Sequence, residues 1–194
     1  MEINLADLNP DIRHLNDMRG VLYDRQWAES AEDTDLYYMY RKIKEENGLN
    51  HNITITLSKK LGKEFNKTKG HVHIGNYGET YTVLEGKAIF LMQKTKGEII
   101  EDVYAVQASE GESVIIPAQY GHVTINPSDI DLKTGDWSCK DCKSDYSLFE
   151  KLHGACYYYT INGWIKNENY KNIPELRFEN PLKELPKDLE FLKG

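Results

Sequence analysis

The chain has 194 residues, 40% apolar and 28% charged, the size and balance of one globular domain able to bury a core. A net charge of −7 argues against nonspecific binding to nucleic acid or anionic lipid, and no apolar run approaches the ~18 residues that a membrane helix needs. The N-terminus "MEINLADLNPDIRHLNDMRG" lacks a basic stretch followed by an apolar one, so no signal peptide is expected and a cytoplasmic location is.

Residues 1–35 are expected to form a helical extension. Ile12, Leu15 and Met18 recur at helical spacing, and Asp24 is a candidate N-cap for "DRQWAESAED". From 36 to 165 the pattern becomes one of strands and turns, and the 13 tyrosines add to the β bias. The expected strands are "LYYMYRKI", "HNITITL", "KEFNKT", "ETYTVLEG", "KAIFLMQ", "EDVYAVQA", "SVIIP", "HVTINP" and "ACYYYTI", with turns at "EGK", "TKGE" and "SEGE". Many short strands at regular spacing imply a β-sandwich or barrel. Residues 166–194 are polar and broken by Pro174, Pro181 and Pro186. They read as an irregular surface tail of the same single domain, ending in a short helix near "LKELPKDLEFL".

Three cysteines are too few for a disulfide framework. Cys139 and Cys142 form a single CxxC, which on paper His153 and Cys156 could complete to a zinc set. The plainer expectation is a loop carrying two thiols, with Cys156 a buried strand residue.

The chemistry concentrates in "TKGHVHIGNYGETYTVLEG", residues 68–86, and in "GESVIIPAQYGHVTIN", residues 111–126. His71 and His73 at i and i+2 point to one face of a strand, and Glu79 opens the next strand. Together the stretches read H-x-H-(x)5-E-(x)6-G and G-(x)5-P-(x)4-H-(x)3-N, with His122 starting a later strand. Three imidazoles and one carboxylate converging from antiparallel neighbours make an N3O set. Such a set suits one divalent transition metal per chain (Fe, Mn, Ni, Zn or Co) with coordination positions left open.

This double pattern resembles the two motifs of the cupin superfamily, and "GKEFNKTKGHVH", residues 62–73, is similar to the signature of the cupin-type (archaeal-type) glucose-6-phosphate isomerases. The likeness extends over about residues 18–165 and is weakest at the CxxC and in the tail. It implies an all-β double-stranded β-helix barrel, with short N-terminal helices and an irregular C-terminal tail. It also implies a homodimer and a metal-dependent interconversion of glucose 6-phosphate and fructose 6-phosphate. By the same resemblance the metal ligands are His71, His73, Glu79 and His122. Thr54, Thr68, Gly70 and Tyr81 hold the phosphate, and Tyr37 and Tyr146 line the substrate pocket.

The residues suit that chemistry. A metal with open positions can chelate O1 and O2 of an open-chain sugar, and a base must then move a proton between C1 and C2. Glu79 is the candidate catalytic base, unless a hydride passes directly between the carbons. Residues 59–69 carry five lysines and one glutamate, a cationic approach for a phosphate. Two other readings use the same ligand set: an Fe(II) dioxygenase, which needs an apolar pocket, and a non-catalytic sugar-binding cupin. Neither nucleic acid nor membrane is expected as a partner.

Overall fold

A computed structural model describes residues 4–194. The chain opens with β1 (Asp11–His14), α1 (Arg25–Ser30), β2 (Asp35–Glu46), β3 (Leu49–Thr56), β4 (Lys60–Leu61), β5 (Glu64–Phe65) and β6 (Val72–His73). The central strands are β7 (Glu79–Glu85), β8 (Lys87–Lys96), β9 (Ile99–Ser109), β10 (Ser113–Ile116), β11 (Tyr120–Ile125) and β12 (Leu132–Cys139). Then come β13 (Ser144–Asp145), α2 (Ser147–Lys151), β14 (Tyr157–Thr160), β15 (Gly163–Lys166) and β16 (Arg177–Glu179).

The strands make a six-stranded sheet, β1-β2-β3-β12-β7-β10, and a four-stranded one, β11-β8-β9-β16. The two sheets face each other across a core of Val83, Phe90, Met92, Val106, Val114, Ile116 and Leu132. The architecture is the all-β barrel that the resemblance implies. The two-stranded sheet β13-β6 and the four-stranded sheet β15-β14-β5-β4 flank it.

The sequence of β8 shows how both of its faces are used. Side chains alternate along a strand, so Ala88, Phe90 and Met92 enter the barrel core. Ile89 and Leu91 point the other way, into a second core with Val123, Phe149, Leu152, Cys156 and Tyr170. A strand buried on both faces reads as the continuous apolar run "AIFLM". Gly86 turns β7 into β8 at φ +86, and a Cβ there would meet the Asp131 carbonyl at 3.1 Å.

Four local expectations change. The helical spacing near Ile12 belongs to β1, which pairs with β2, and only Leu15 and Met18 go into the N-terminal core. "KEFNKT" yields only the two-residue β5. The segment around the first cysteine is no loop: β12 is a central strand, hydrogen-bonded to β3 and β7. Within the tail, β16 pairs in parallel with β9, and Leu192 is fully buried in a 3-10 turn.

Candidate active site

Backbone pairing assembles the four candidate ligands. His71 and His122 exchange main-chain hydrogen bonds, His122 N–H to the His71 carbonyl at 2.9 Å and the reverse at 3.3 Å. Their rings therefore lie side by side, with centroids 4.5 Å apart. His73, two residues on, falls on the same face, and Glu79 is the first residue of β7. Phe149 fills the space beneath Gly70 and Gly121, where a Cβ would come within 2.5 Å and 2.9 Å of its ring. At Gly70, φ is +85, so this close approach and the turn both require glycine.

One ligand atom from each of His71, His73, Glu79 and His122 lies within 4.8 Å of all the others. His71 Nε2 stands 3.2 Å from His73 Nε2. Glu79 Oε2 stands 3.1 Å from His122 Nε2 and 3.4 Å from His73 Nε2. Proximity is not pairing here, because the buried Glu79 Oε2 has no hydrogen-bond partner. A buried carboxylate oxygen left open among imidazole nitrogens costs free energy unless something shares it. The residues thus fit a metal ion, which would take up those lone pairs.

The electrostatics agree. Burial and the neighbouring imidazoles hold His71 well below its usual range, and burial lowers His73 and brings His122 to about 4. The rings are neutral near pH 7 and offer lone pairs, the state a metal requires. His73 Nδ1 lies 3.3 Å from the Tyr77 carbonyl, to which it donates, leaving Nε2 as the ligand atom. Burial raises Glu79, and Asp136, deep in the same pocket, is pushed well above a normal carboxyl by burial and by Glu79.

A pocket of about 330 Å³ opens over this cluster, a volume suited to a small molecule. Thr54, Thr68, Gly70, Tyr81, Tyr37 and Tyr146 all line it, beside His71, His73 and Glu79. The Tyr81 hydroxyl reaches to 3.4 Å from His122 Nε2. Thr68 Oγ1 accepts from the Thr124 N–H at 3.0 Å, and the Tyr37 hydroxyl accepts from the Lys69 N–H at 3.2 Å. Of the five lysines in residues 59–69, only Lys69 lines the pocket. Lys59, Lys60 and Lys67 are engaged with Thr34, Asp129 and Glu64.

Sequence reasoning missed Arg41, Asn52, Asp136 and Ser138, and the cysteines of the CxxC, all of which line the pocket. Polar Thr134, Asp136 and Ser138 recur at every second position of β12, a period-2 signal with polar in place of apolar residues. His153 and Cys156 lie elsewhere, His153 Nδ1 donating to the Gly20 carbonyl and Cys156 in the second core, so no zinc set forms with the CxxC.

The family model for glucose-6-phosphate isomerase (GPI) matches residues 12–175. The chain is similar to the glucose-6-phosphate isomerase of Pyrococcus furiosus, 36% identical over 124 residues, 61% of this chain and 64% of that protein. It is also similar to that of Thermococcus litoralis, 33% identical over 131 residues, 64% of this chain and 67% of that protein. The first of these matches thus spans less than two thirds of the relative's length. Among solved structures, the oxalate decarboxylase formate complex of Lactobacillus farciminis aligns at TM-score 0.46 and 12% identity, over 69% of this chain and 31% of that one. That overlap is too loose to bear on fold or function. The family model covers most of the chain, and on that ground the chain belongs to the glucose-6-phosphate isomerase (GPI) family.

Proposed function

We propose that the chain is a metal-dependent aldose–ketose isomerase that interconverts glucose 6-phosphate and fructose 6-phosphate. The observation that carries this reading is the buried His71/His73/Glu79/His122 set, opening into a polar pocket in a chain of this family. A divalent ion held by these four side chains would supply a Lewis acid that polarises the sugar carbonyl.

The remaining work falls to the chain's own groups. Thr54 and Thr68 offer hydroxyls and Gly70 a backbone N–H for the phosphate, with the Lys69 ammonium nearby at the pocket wall. Tyr37 and Tyr146 line the pocket and offer their ring faces and hydroxyls to the sugar. Glu79, as a carboxylate, takes the proton from one carbon and returns it to the neighbouring one. The polar lining, with Asn50, Asn52, Asp136 and Ser138, is ill suited to the apolar substrate that a dioxygenase reading needs. The homodimer implied by the resemblance and the cytoplasmic location expected from the N-terminal sequence belong to the same reading. Light scattering of the purified protein tests the former.

The test is a coupled assay for fructose 6-phosphate isomerisation, with and without chelator, on wild type and on Glu79→Gln. The variant keeps a ligating oxygen and loses the basicity. Its kcat, measured metal-replete, should fall by roughly 10²–10⁴ with KM little changed. A fall of less than about threefold would remove Glu79 as the base and leave hydride transfer between the carbons. Absence of wild-type turnover with every metal would overturn the isomerase reading.

A further inference from the structure

The pocket floor is built in three ranks, set by strand register. On β12, Thr134, Asp136 and Ser138 face inward. Ser138 lies opposite Asn50 of β3 and Glu79 of β7, Asp136 opposite Asn52 and Tyr81, and Thr134 opposite Thr54 and Val83. Successive ranks are two residues apart, about 6.6 Å along the strands. The Glu79 rank holds a candidate metal ligand, and the Thr54 rank holds a candidate phosphate contact. Between them stand a carboxyl and a carboxamide, and the Tyr81 phenol, itself a candidate phosphate contact, whose hydroxyl lies 3.4 Å from His122 Nε2.

That middle rank is anchored. Asn52 Nδ2 donates to Asp136 Oδ2 at 2.6 Å, and Asn52 Oδ1 accepts from the Lys42 N–H at 2.8 Å. Lys42 presents its N–H there because the β2–β3 register breaks between Tyr40 and Lys44, leaving Lys42 at φ +54. A lysine held in the left-handed region is a strained choice for a strand. Its consequence is an amide that can face only one way and a carboxyl that is fixed by it. Asp136 is 5% exposed, and both it and Asn52 line the pocket. The Asn52 amide takes only Asp136 Oδ2, so the carboxyl keeps acceptor capacity for a ligand hydroxyl at the pocket.

Resting on the isomerase reading, the geometry points to Asp136 and Asn52 as the subsite that binds the mid-chain hydroxyls of an open-chain polyhydroxy phosphate. A substrate with its carbonyl end at the Glu79 rank and its phosphate toward Thr54 must lie across this rank, and its middle carbons carry hydroxyl groups. Asp136 accepts from one such hydroxyl and Asn52 holds Asp136 in place. Asn52 is thus a positioning residue. A site built to bond a hydroxyl discriminates strongly against analogues that lack it.

The experiment compares wild type, Asp136→Ala and Asp136→Asn, all metal-loaded. Calorimetry measures the binding of a six-carbon polyol phosphate and of inorganic phosphate, and kinetics are run with glucose 6-phosphate and its 3-deoxy and 4-deoxy forms. Asp136→Ala should weaken polyol phosphate about 10-fold to 100-fold and leave inorganic phosphate unchanged. The same variant should cost much less with whichever deoxy substrate lacks the bonded hydroxyl, because that interaction is already gone. Asp136→Asn, which keeps the volume and a hydrogen-bonding head, should show the same selectivity with a smaller loss, and serves if the alanine variant does not fold. An equal loss for polyol phosphate and inorganic phosphate, or no loss, would overturn the subsite. So would wild type that binds polyol phosphate no better than inorganic phosphate. Asp136-dependent binding without turnover would retain the subsite and reject the isomerase reading instead.

Discussion

Two glutamates, Glu64 and Glu79, are buried among the described residues, and they could hardly be treated more differently. Glu64 is satisfied on both oxygens: Oε1 pairs with the buried Lys67 ammonium, and Oε2 accepts the Tyr23 N–H at 2.9 Å. Lys67 in turn donates to the Val21 carbonyl at 2.9 Å and lies over the Tyr158 ring. The cluster ties the N-terminal segment to β5 and β14 and leaves nothing open. Glu79 sits among three neutral imidazoles, with Oε2 unpartnered. Both carboxyls are raised by burial, but Glu64 has a buried lysine in direct contact to offset it, whereas Glu79 has only the weaker pull of His73 and of Arg41, with which it makes no contact. A buried charge with its counter-charge built in holds the fold together. A buried charge without one marks where the counter-charge must come from outside.

The sharpest way to break this contrast is to remove a ligand. His122→Ala or His71→Ala should abolish isomerase activity and reduce metal uptake below about a tenth of wild type, since each deletes one of the donor atoms. Circular dichroism should still report the β-barrel, because its apolar core is untouched. Unfolding on substitution, in place of selective metal loss, would make these histidines structural and erase the distinction from Glu64.

The converse substitution should hit stability and spare the metal. Lys67→Met leaves Glu64 buried without its cation, which costs about 3–5 kcal/mol by the usual worth of a broken buried pair. Urea denaturation measures the loss, and metal bound per folded chain should equal wild type. A change of under about 1 kcal/mol would mean the pair is as replaceable as a surface one.

The same contrast explains what was legible in the sequence. The ligand set could be read because metal binding demands fixed residue types at fixed strand spacing, and the glycines, Pro117 and Asn126 fell in register with it. Asn126 shows why such a residue is needed: its amide donates to the Thr56 carbonyl at 3.0 Å and the Ile130 carbonyl at 2.8 Å, closing the loop behind β11. The strand "KAIFLMQ" was legible because both faces are apolar. By contrast, β12 was missed because its inward face carries Thr134, Asp136 and Ser138, so the alternation that marks a strand is inverted where a barrel wall lines a polar pocket. Likewise β1 was hidden, since two 3-10 turns placed Leu15 and Met18 at helix-like intervals. The Glu64–Lys67 pair reads as two more charges in a basic loop, and only the three-dimensional neighbours show it to be buried.

The smallest effect is expected at the other polarisable pair near the site. Cys139 and Cys142 line the pocket, yet they form no metal group with the four ligands. Burial, with Glu79 nearby, pushes the Cys142 thiol up to about 12, so in the absence of a metal it remains protonated and reacts slowly near pH 7. Cys139 packs with Leu49 and Leu192, against Trp137 and Leu189, as a small hydrophobe would. The turn between the two cysteines is held by the main chain, Cys142 N–H to the Cys139 carbonyl at 3.0 Å, and needs no sulfur. Cys139→Ser/Cys142→Ser should therefore keep one metal per chain and near wild-type kcat. It should lose about 1 kcal/mol of stability, the cost of a hydroxyl set into an apolar cluster. Elemental analysis and urea denaturation of the double variant check both parts. Loss of a second, tightly held zinc would show that this pair, like Glu79, is waiting for a counter-charge and is not part of the packing.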